Sequence, residues 1–206
     1  MVSGLPGKEI ESLVSAKSRV ILLDEDVEDF EGNVVIGDDY LGGWKGAEYL
    51  HSLGHCEILL IIGPEKLSSI RNRLRGFCDF EGRWKGGLHQ VVDGDFTIES
   101  SYRETCGVLS GGLKATAVFA FNDLMAIGAI RALTDNGYRV PQDISVLGYD
   151  NIFIDELMKP KITTVATPLD SLAEKAVRMI VEGVAKRGEK LLLEPKILVR
   201  DSCQPN

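Results

Sequence analysis

The stretch from residue 115 to residue 151 constrains the fold more than any other part of the chain. An apolar run at 116–121 stops at polar residues, and apolar residues then recur three apart over 124–133, which is typical of an amphipathic helix. A second apolar run at 144–147 also stops at polar residues. The stretch therefore predicts a strand, a helix and a second strand.

Polar residues follow each of these two predicted strands. Asn122 and Asp123 come after the first, and Tyr149 and Asp150 come after the second. Ligands of open parallel α/β sheets bind at the carboxyl ends of the strands. These four residues are therefore candidates for a binding site.

The same alternation of strand and helix patterns extends along the whole chain. Strands are expected at 19–23, 34–36, 57–62, 90–92, 162–165, 191–193 and 196–199, and helices at 6–16, 38–53, 66–80, 98–109 and 167 to about 186. Such alternation predicts an α/β protein with mostly parallel sheets. The unbroken apolar run at 58–62 suits a sheet that is covered on both faces.

Charge and cysteine content exclude several function classes. A net charge of -8 argues against a dominant nucleic-acid surface within this sequence, because duplex binding relies on clustered lysine and arginine. The 4 cysteines are widely spaced, without the spacing of a metal site, and they fit a reducing compartment. We expect no metal, no cofactor and no membrane association, and a cytoplasmic location.

Arg73 is the most informative charged residue. It lies on the apolar stripe of its predicted helix, three residues after Ile70 and four before Phe77. A buried guanidinium without a partner is costly, so Arg73 must meet a carboxylate or a ligand oxygen. A structural arginine–aspartate bridge and a ligand contact both satisfy that requirement.

Four residues at predicted strand ends have both a binding and a structural interpretation. Asp150 can accept hydrogen bonds from neighbouring sugar hydroxyls, or it can cap the short helix that follows. Asn122 can bind a ligand or cap its helix. Phe96 can stack on a sugar or base, or belong to the core. Tyr149 fits packing better than contact.

Three segments together resemble one protein family. They are SSIRNRLRGF at 68–77, GDF at 94–96 with ESSY at 99–102, and FNDLMAIGA at 121–129 with VPQDISVLGYDN at 140–151 and the later TTV. Their order and spacing are similar to those of the effector-binding core of LacI/GalR-type bacterial transcriptional repressors.

This resemblance implies a two-lobed, type I periplasmic-binding-protein-like fold with doubly wound parallel sheets. It places the crossings between lobes near Gly37, Val165 and Pro195. The implied domains are a partial amino-terminal lobe at 1–37, a carboxyl-terminal lobe at 38–165, a return to the amino-terminal lobe at 166–195, and a closing strand and tail at 196–206.

The resemblance also implies that the chain senses a small polar effector, most simply a sugar, in the cleft between the lobes. Lobe closure would then be coupled to dimer geometry. By the resemblance, the positions of Arg73, Asn122 and Asp150 hold the effector, Phe96 stacks on it, and Asp24 reaches it more weakly. Asp123, which can instead cap its helix, and Tyr149 are further weak candidates. Glu25 stands where sugar-binding relatives often have arginine, and Thr167 stands where glutamine is common, which leaves the sugar open.

Three alternative functions stay open at this stage. Relatives use the same carboxylate and aromatic positions for purines, so a purine effector is one alternative. A solute-binding protein of sugar transport shares the fold. An enzyme on a doubly wound sheet is the third, although no nucleophile and base pair is visible in the sequence.

The amino end departs from the family pattern. No segment matches the helix-turn-helix headpiece or the first elements of the amino-terminal lobe, and we favour truncation over natural loss. DNA binding is accordingly expected only through a headpiece absent from this sequence. Missing inner strands would leave apolar surface uncovered, so we expect a homodimer or a higher self-associated form.

Overall fold

The computed structural model describes residues 21–24, 30, 32–84, 89–182 and 188–206, which belong to two compact units. The first unit takes the chain up to residue 38 together with 168–194, and the second takes 39–167 and 195–206. The predicted helix at 6–16, the start of the predicted strand at 19–23 and the acidic residues 25–29 lie outside the described residues.

The described part of the first unit contains a three-stranded parallel sheet. Its strands are β1 (Ile21–Leu23), β2 (Asn33–Gly37) and β8 (Lys190–Leu193), in the order β1-β2-β8. Helix α5 (Leu169–Glu182) packs on this sheet through Leu172 and Ala176, which meet Val35.

The sequence predicts a broad apolar stripe on helix α5, made of Leu172, Ala176, Val177, Ile180 and Val184, but the structure buries only part of it. Leu172 and Ala176 are buried as expected, but Val177 is 58% exposed and Ile180 is 45% exposed. Among the described residues, the sheet buries one row of the helix, at Leu172 and Ala176. Val184, the last predicted member of the stripe, lies outside the described residues.

The second unit contains a six-stranded sheet in the order β4-β3-β5-β6-β7-β9. Its strands are β3 (Ile58–Ile62), β4 (Gln90–Asp93), β5 (Ala117–Ala120), β6 (Ser145–Tyr149), β7 (Thr163–Ala166) and β9 (Lys196–Leu198). All neighbouring pairs are parallel except β7 and β9. Because β3, β5 and β6 are buried along their whole lengths, both faces of this sheet are covered.

Four helices belong to the second unit: α1 (Asp39–Ser52), α2 (Ser68–Trp84), α3 (Ile98–Ser110) and α4 (Asp123–Asp135). They pack as two pairs, α1 with α2 and α3 with α4. The predicted α/β fold with mostly parallel sheets is confirmed. Helix α2 extends four residues beyond its predicted end, because Phe80 and Glu81 are still buried there.

Helices α1 and α2 approach closely through glycines. A Cβ at Gly43 would lie 1.9 Å from the backbone oxygen of Arg73, and a Cβ at Gly76 would lie 1.9 Å from that of Tyr40. Gly43 and Gly76 therefore serve helix packing, because a side chain at either position would collide with the facing backbone. This close approach sets the position of Arg73 on α2.

Among the residues that the structure describes, no helix has the length and apolar composition to cross a membrane.

Candidate functional site

Three of the predicted binding residues follow strands of the six-stranded sheet at one edge. Phe96 comes after β4, Asn122 directly precedes α4 after β5, and Asp150 comes after β6. Because β4, β3, β5 and β6 are consecutive and parallel, their carboxyl ends lie along one edge of the sheet. We call these residues, with Arg73, the carboxyl-edge cluster.

Each nitrogen of the Arg73 guanidinium has one acceptor in the protein. Its Nε donates to Asp39 Oδ1 at 2.8 Å, and its Nη1 donates to the backbone oxygen of Phe121. Its Nη2 lies 3.4 Å from Asp150 Oδ1, and its Cζ stands 3.5 Å from the centre of the Tyr149 ring. The side chain is 11% exposed. The buried partner that the sequence demanded is thus present, in the form of carboxylates.

Asp39 is the member of this arrangement that sequence reasoning missed. It is the first residue of α1, its side chain is 7% exposed, and its Oδ1 also accepts from the Tyr149 hydroxyl at 3.4 Å. An acidic residue in the first turn of a helix is ordinary, because it complements the helix dipole. No signal in the sequence separated Asp39 from that ordinary role.

Asp150 has the accessibility that a ligand contact needs. Its side chain is 37% exposed, and its amide donates to the backbone oxygen of Val165 at 2.9 Å. The short helix at Phe153–Glu156 begins after Ile152 without any side-chain cap. The capping alternative for Asp150 was therefore wrong, because the helix starts too late for its carboxylate to reach.

Asn122 does act as a helix cap. Its Oδ1 accepts from the amide of Met125 at 2.8 Å, and its Nδ2 donates to the backbone oxygen of Phe96 at 3.4 Å. Its exposed fraction is 9%. The cap fixes the amide at the strand end, and the second bond links the ends of β4 and β5.

Phe96 is half-buried and packs against the core of the unit. Its ring occupies the space beside Gly63, where an added Cβ would lie 2.4 Å from a ring carbon. One side of the Phe96 ring therefore belongs to the core, as the structural interpretation of this residue predicted.

Left-handed backbone marks the candidate residues. Among the described residues other than glycine, a positive φ occurs at Asp24, Phe96, Asp150 and Asn151, with values of 56°, 68°, 103° and 59°. Such conformations are uncommon, especially for a bulky aromatic residue, and they concentrate at functional sites. Three of the four are residues that the sequence nominated for ligand binding.

Asp123 and Tyr149 lie beneath the edge. Asp123 is fully buried, and it accepts from Thr164 Oγ1 at 2.7 Å and from the amide of Ile152 at 3.1 Å. Burial is the main cause that raises the pKa of Asp123 to about 8. Tyr149 is 1% exposed, and burial raises the pKa of its hydroxyl. Both side chains bond within the protein, which favours a supporting role.

Asp24 belongs to the three-stranded unit. It follows β1, it is exposed, and its amide donates to the backbone oxygen of Val35 at 2.9 Å. Its position after the end of a parallel strand repeats the arrangement of the carboxyl-edge cluster within its own unit.

One group of titratable side chains was not foreseen. Glu81 bridges two histidines, with Oε1 at 2.5 Å from His51 Nε2 and Oε2 at 3.1 Å from His89 Nε2. Within the described ranges, no group of three histidine, cysteine, aspartate or glutamate residues is arranged to hold a metal ion. His51 and His89 lie on either side of Glu81 at unequal distances along the chain, so their spacing alone did not associate them.

The carboxyl-edge cluster combines a cation, a carboxylate, an amide and an aromatic face at the end of a parallel sheet. These groups can bond a neutral polar molecule and pack against its flat face, and they include no nucleophile with an adjacent base. The geometry therefore suits recognition of a small solute.

Comparison with known proteins gives consistent results. Residues 47–203 match the model of the periplasmic binding protein-like domain. The HTH-type transcriptional repressor PurR of Escherichia coli O1:K1 is 37% identical over 175 residues, which are 82% of this chain and 51% of PurR. The chain thus spans about half the length of this curated relative.

Solved structures of regulators are also similar. A LacI family transcriptional regulator from Enterococcus faecium with bound ribose has a TM-score of 0.86 and 30% identity, over 95% of this chain and 74% of that one. A dimeric Lac repressor has a TM-score of 0.85 and 30% identity, over 98% of this chain and 76% of that one.

Proposed function

The chain belongs to the LacI family, within the periplasmic binding protein-like domains, and on that premise we propose that it is the effector-binding core of a transcriptional regulator. The regulator would act on DNA in the cytoplasm through a headpiece outside this sequence. The relatives are transcriptional regulators by name, and one of them is an HTH-type repressor.

The carboxyl-edge cluster carries the proposal for the effector site. Asp150 is 37% exposed at a strand end and lies 3.4 Å from the guanidinium of Arg73. A carboxylate beside a guanidinium offers both acceptors and donors to adjacent hydroxyl groups, as a sugar presents them. We assign Asp150 and Arg73 to the hydroxyls, Asn122 to a further polar contact, and Phe96 to the flat face of the ring.

A sugar is the effector that this arrangement fits best. Bonding to neutral hydroxyls needs paired donors and acceptors, which Arg73 and Asp150 supply together. The ribose-bound regulator from Enterococcus faecium makes ribose the first probe. We therefore propose a sugar-responsive regulator.

A purine is the second candidate, and Phe96 is the observation that favours it. An aromatic ring at a strand end, held in a left-handed conformation, can stack on a base as well as on a sugar. Asp150 could then accept from ring nitrogen donors of the base.

A thermal-shift panel of pentoses, hexoses, sugar phosphates and purines distinguishes these effectors. A ligand present at 100 times its dissociation constant adds about 2.7 kcal/mol to the free energy of unfolding. We expect a shift from one class, with ribose or a related pentose first. A thermal shift caused by purines alone would show that the effector is a purine and not a sugar. No shift from any class would contradict the proposed effector site.

A further inference from the structure

Two carboxyl groups lie fully buried beneath the carboxyl-edge cluster. Asp123 and Asp155 are both 0% exposed. Asp123 binds three parts of the unit at once, since it starts α4 and accepts from Thr164 of β7 and from the amide of Ile152. Asp155 belongs to the short helix that follows Ile152. This carboxyl pair therefore joins a helix start, a strand and a loop.

The charges around the carboxyl pair do not balance if both acids are ionised. Arg200 Nη1 lies 3.9 Å from Asp155 Oδ2, but its Nη2 also lies 3.5 Å from Glu156 Oε1. Asp150 adds a further negative charge near Asp155. The Arg200 guanidinium is thus divided between Asp155 and Glu156, while Asp123 and Asp155 have no access to water. Adjacent buried carboxylates cannot both ionise at modest cost, so the pair retains a proton.

The titration behaviour of the pair agrees with this geometry. Burial first, and then the hydrogen bond and charge of Asp155, raise the pKa of Asp123 to about 8, whereas Thr164 and the Ile152 amide lower it. Burial also raises the pKa of Asp155, against the opposing effects of its hydrogen bond with Asp123 and of Arg200. Burial and the neighbouring carboxyl group therefore favour a retained proton in the pair at neutral pH.

The carboxyl pair lies next to two residues of the proposed effector site in the chain. Asp123 directly follows Asn122, and the Ile152 amide that it accepts from is two residues after Asp150. Arg200 holds the same loop from its other side, with Nη2 donating to Asn151 Oδ1 at 2.6 Å. If the pair loses its proton, both carboxyl groups are negatively charged. Their mutual repulsion then moves the loop that carries Asp155 away from Asp123.

We propose that Asp123 and Asp155 share one proton and act as positioning residues that hold Asp150 and Asn122 for effector binding, an inference that rests on the proposed function. The pair does not touch the effector. It sets the geometry of the two strand ends that do.

The first test needs no ligand. The amide resonance of Ile152 is followed by NMR from pH 6 to pH 9.5 in the wild type, in Asp123→Asn, and in Asp201→Asn as a matched loss of an exposed carboxylate. Asparagine keeps an acceptor oxygen and resembles the protonated acid. We expect a transition centred near pH 8 in the wild type and in Asp201→Asn, and a flat profile in Asp123→Asn. The same profile in all three proteins would overturn the shared proton.

The second test links the pair to binding. The dissociation constant for ribose is measured by calorimetry over the same pH range in the same three proteins. We expect it to rise about tenfold per pH unit above pH 8 in the wild type, since binding then requires uptake of one proton. It should stay constant in Asp123→Asn. A wild-type constant that does not change with pH would overturn the positioning role.

These two measurements separate failure of the inference from failure of the proposed function. If ribose does not bind at any pH, the sugar assignment is wrong. The pH profile of the Ile152 amide then still decides whether the carboxyl pair retains a proton and positions the loop. If ribose binds but the Ile152 profile is flat, the proposed function stands and the carboxyl pair is wrong.

Discussion

At the scale of residues, the carboxyl-edge cluster shows which contacts can be predicted from the sequence. The position of Arg73 on an apolar stripe required a buried partner, and the structure supplies Asp39 and Asp150. The identity of Asp39 was not predictable, because the contact joins the start of one helix to the middle of another. Asp150 and Phe96 were predictable from strand ends, but their left-handed backbone was not.

Replacement of Asp39 tests the support of Arg73. The Asp39–Arg73 pair is buried at 2.8 Å, so we expect Asp39→Ala to lower the free energy of unfolding by about 3 kcal/mol. Asp150→Ala breaks a more exposed contact at 3.4 Å and should cost below about 1 kcal/mol. Chemical denaturation measures the loss of unfolding free energy in each variant. Equal losses would show that Asp39 is not the main partner of Arg73.

At the scale of elements, hydrophobic patterning predicted type and order well. The apolar run at 58–62 became the buried strand β3, and the helical spacing at 124–133 became α4, because both patterns report burial directly. Hydrophobic patterning failed to predict burial where the burial of a helix depends on the size of the sheet that it packs on. Helix α5 has the apolar residues of a broad stripe, yet its three-stranded sheet buries only part of them. The bridge of Glu81 to His51 and His89 likewise depends on tertiary contacts that spacing cannot show.

At the scale of the whole molecule, exposed apolar side chains bear on assembly. In the six-stranded unit, Phe153 is 80% exposed, Ile154 43% and Leu157 65%, and they lie within one short segment. Large apolar side chains that are exposed close together are typical of an interaction surface. We therefore expect a second copy of this chain to cover these exposed side chains.

Light scattering tests this assembly. We expect the wild type to have twice the monomer mass and the double variant Phe153→Ser with Leu157→Ser to be monomeric. The control is Val181→Ser, which removes an apolar residue that is 75% exposed on α5. Monomer formation by the control alone would move the interface to α5, and a monomeric wild type would contradict self-association.

The central claim, that the carboxyl-edge cluster binds a small polar effector, is tested most directly by calorimetric titration of Asp150→Ala. Ribose, or whichever effector the thermal-shift panel identifies, is titrated into the wild type, Asp150→Ala and the exposed control Asp201→Ala. Loss of two hydrogen bonds to a charged group costs about 3 kcal/mol, roughly a hundredfold in affinity. We predict that loss in Asp150→Ala and wild-type affinity in Asp201→Ala. Unchanged affinity in Asp150→Ala would contradict the site.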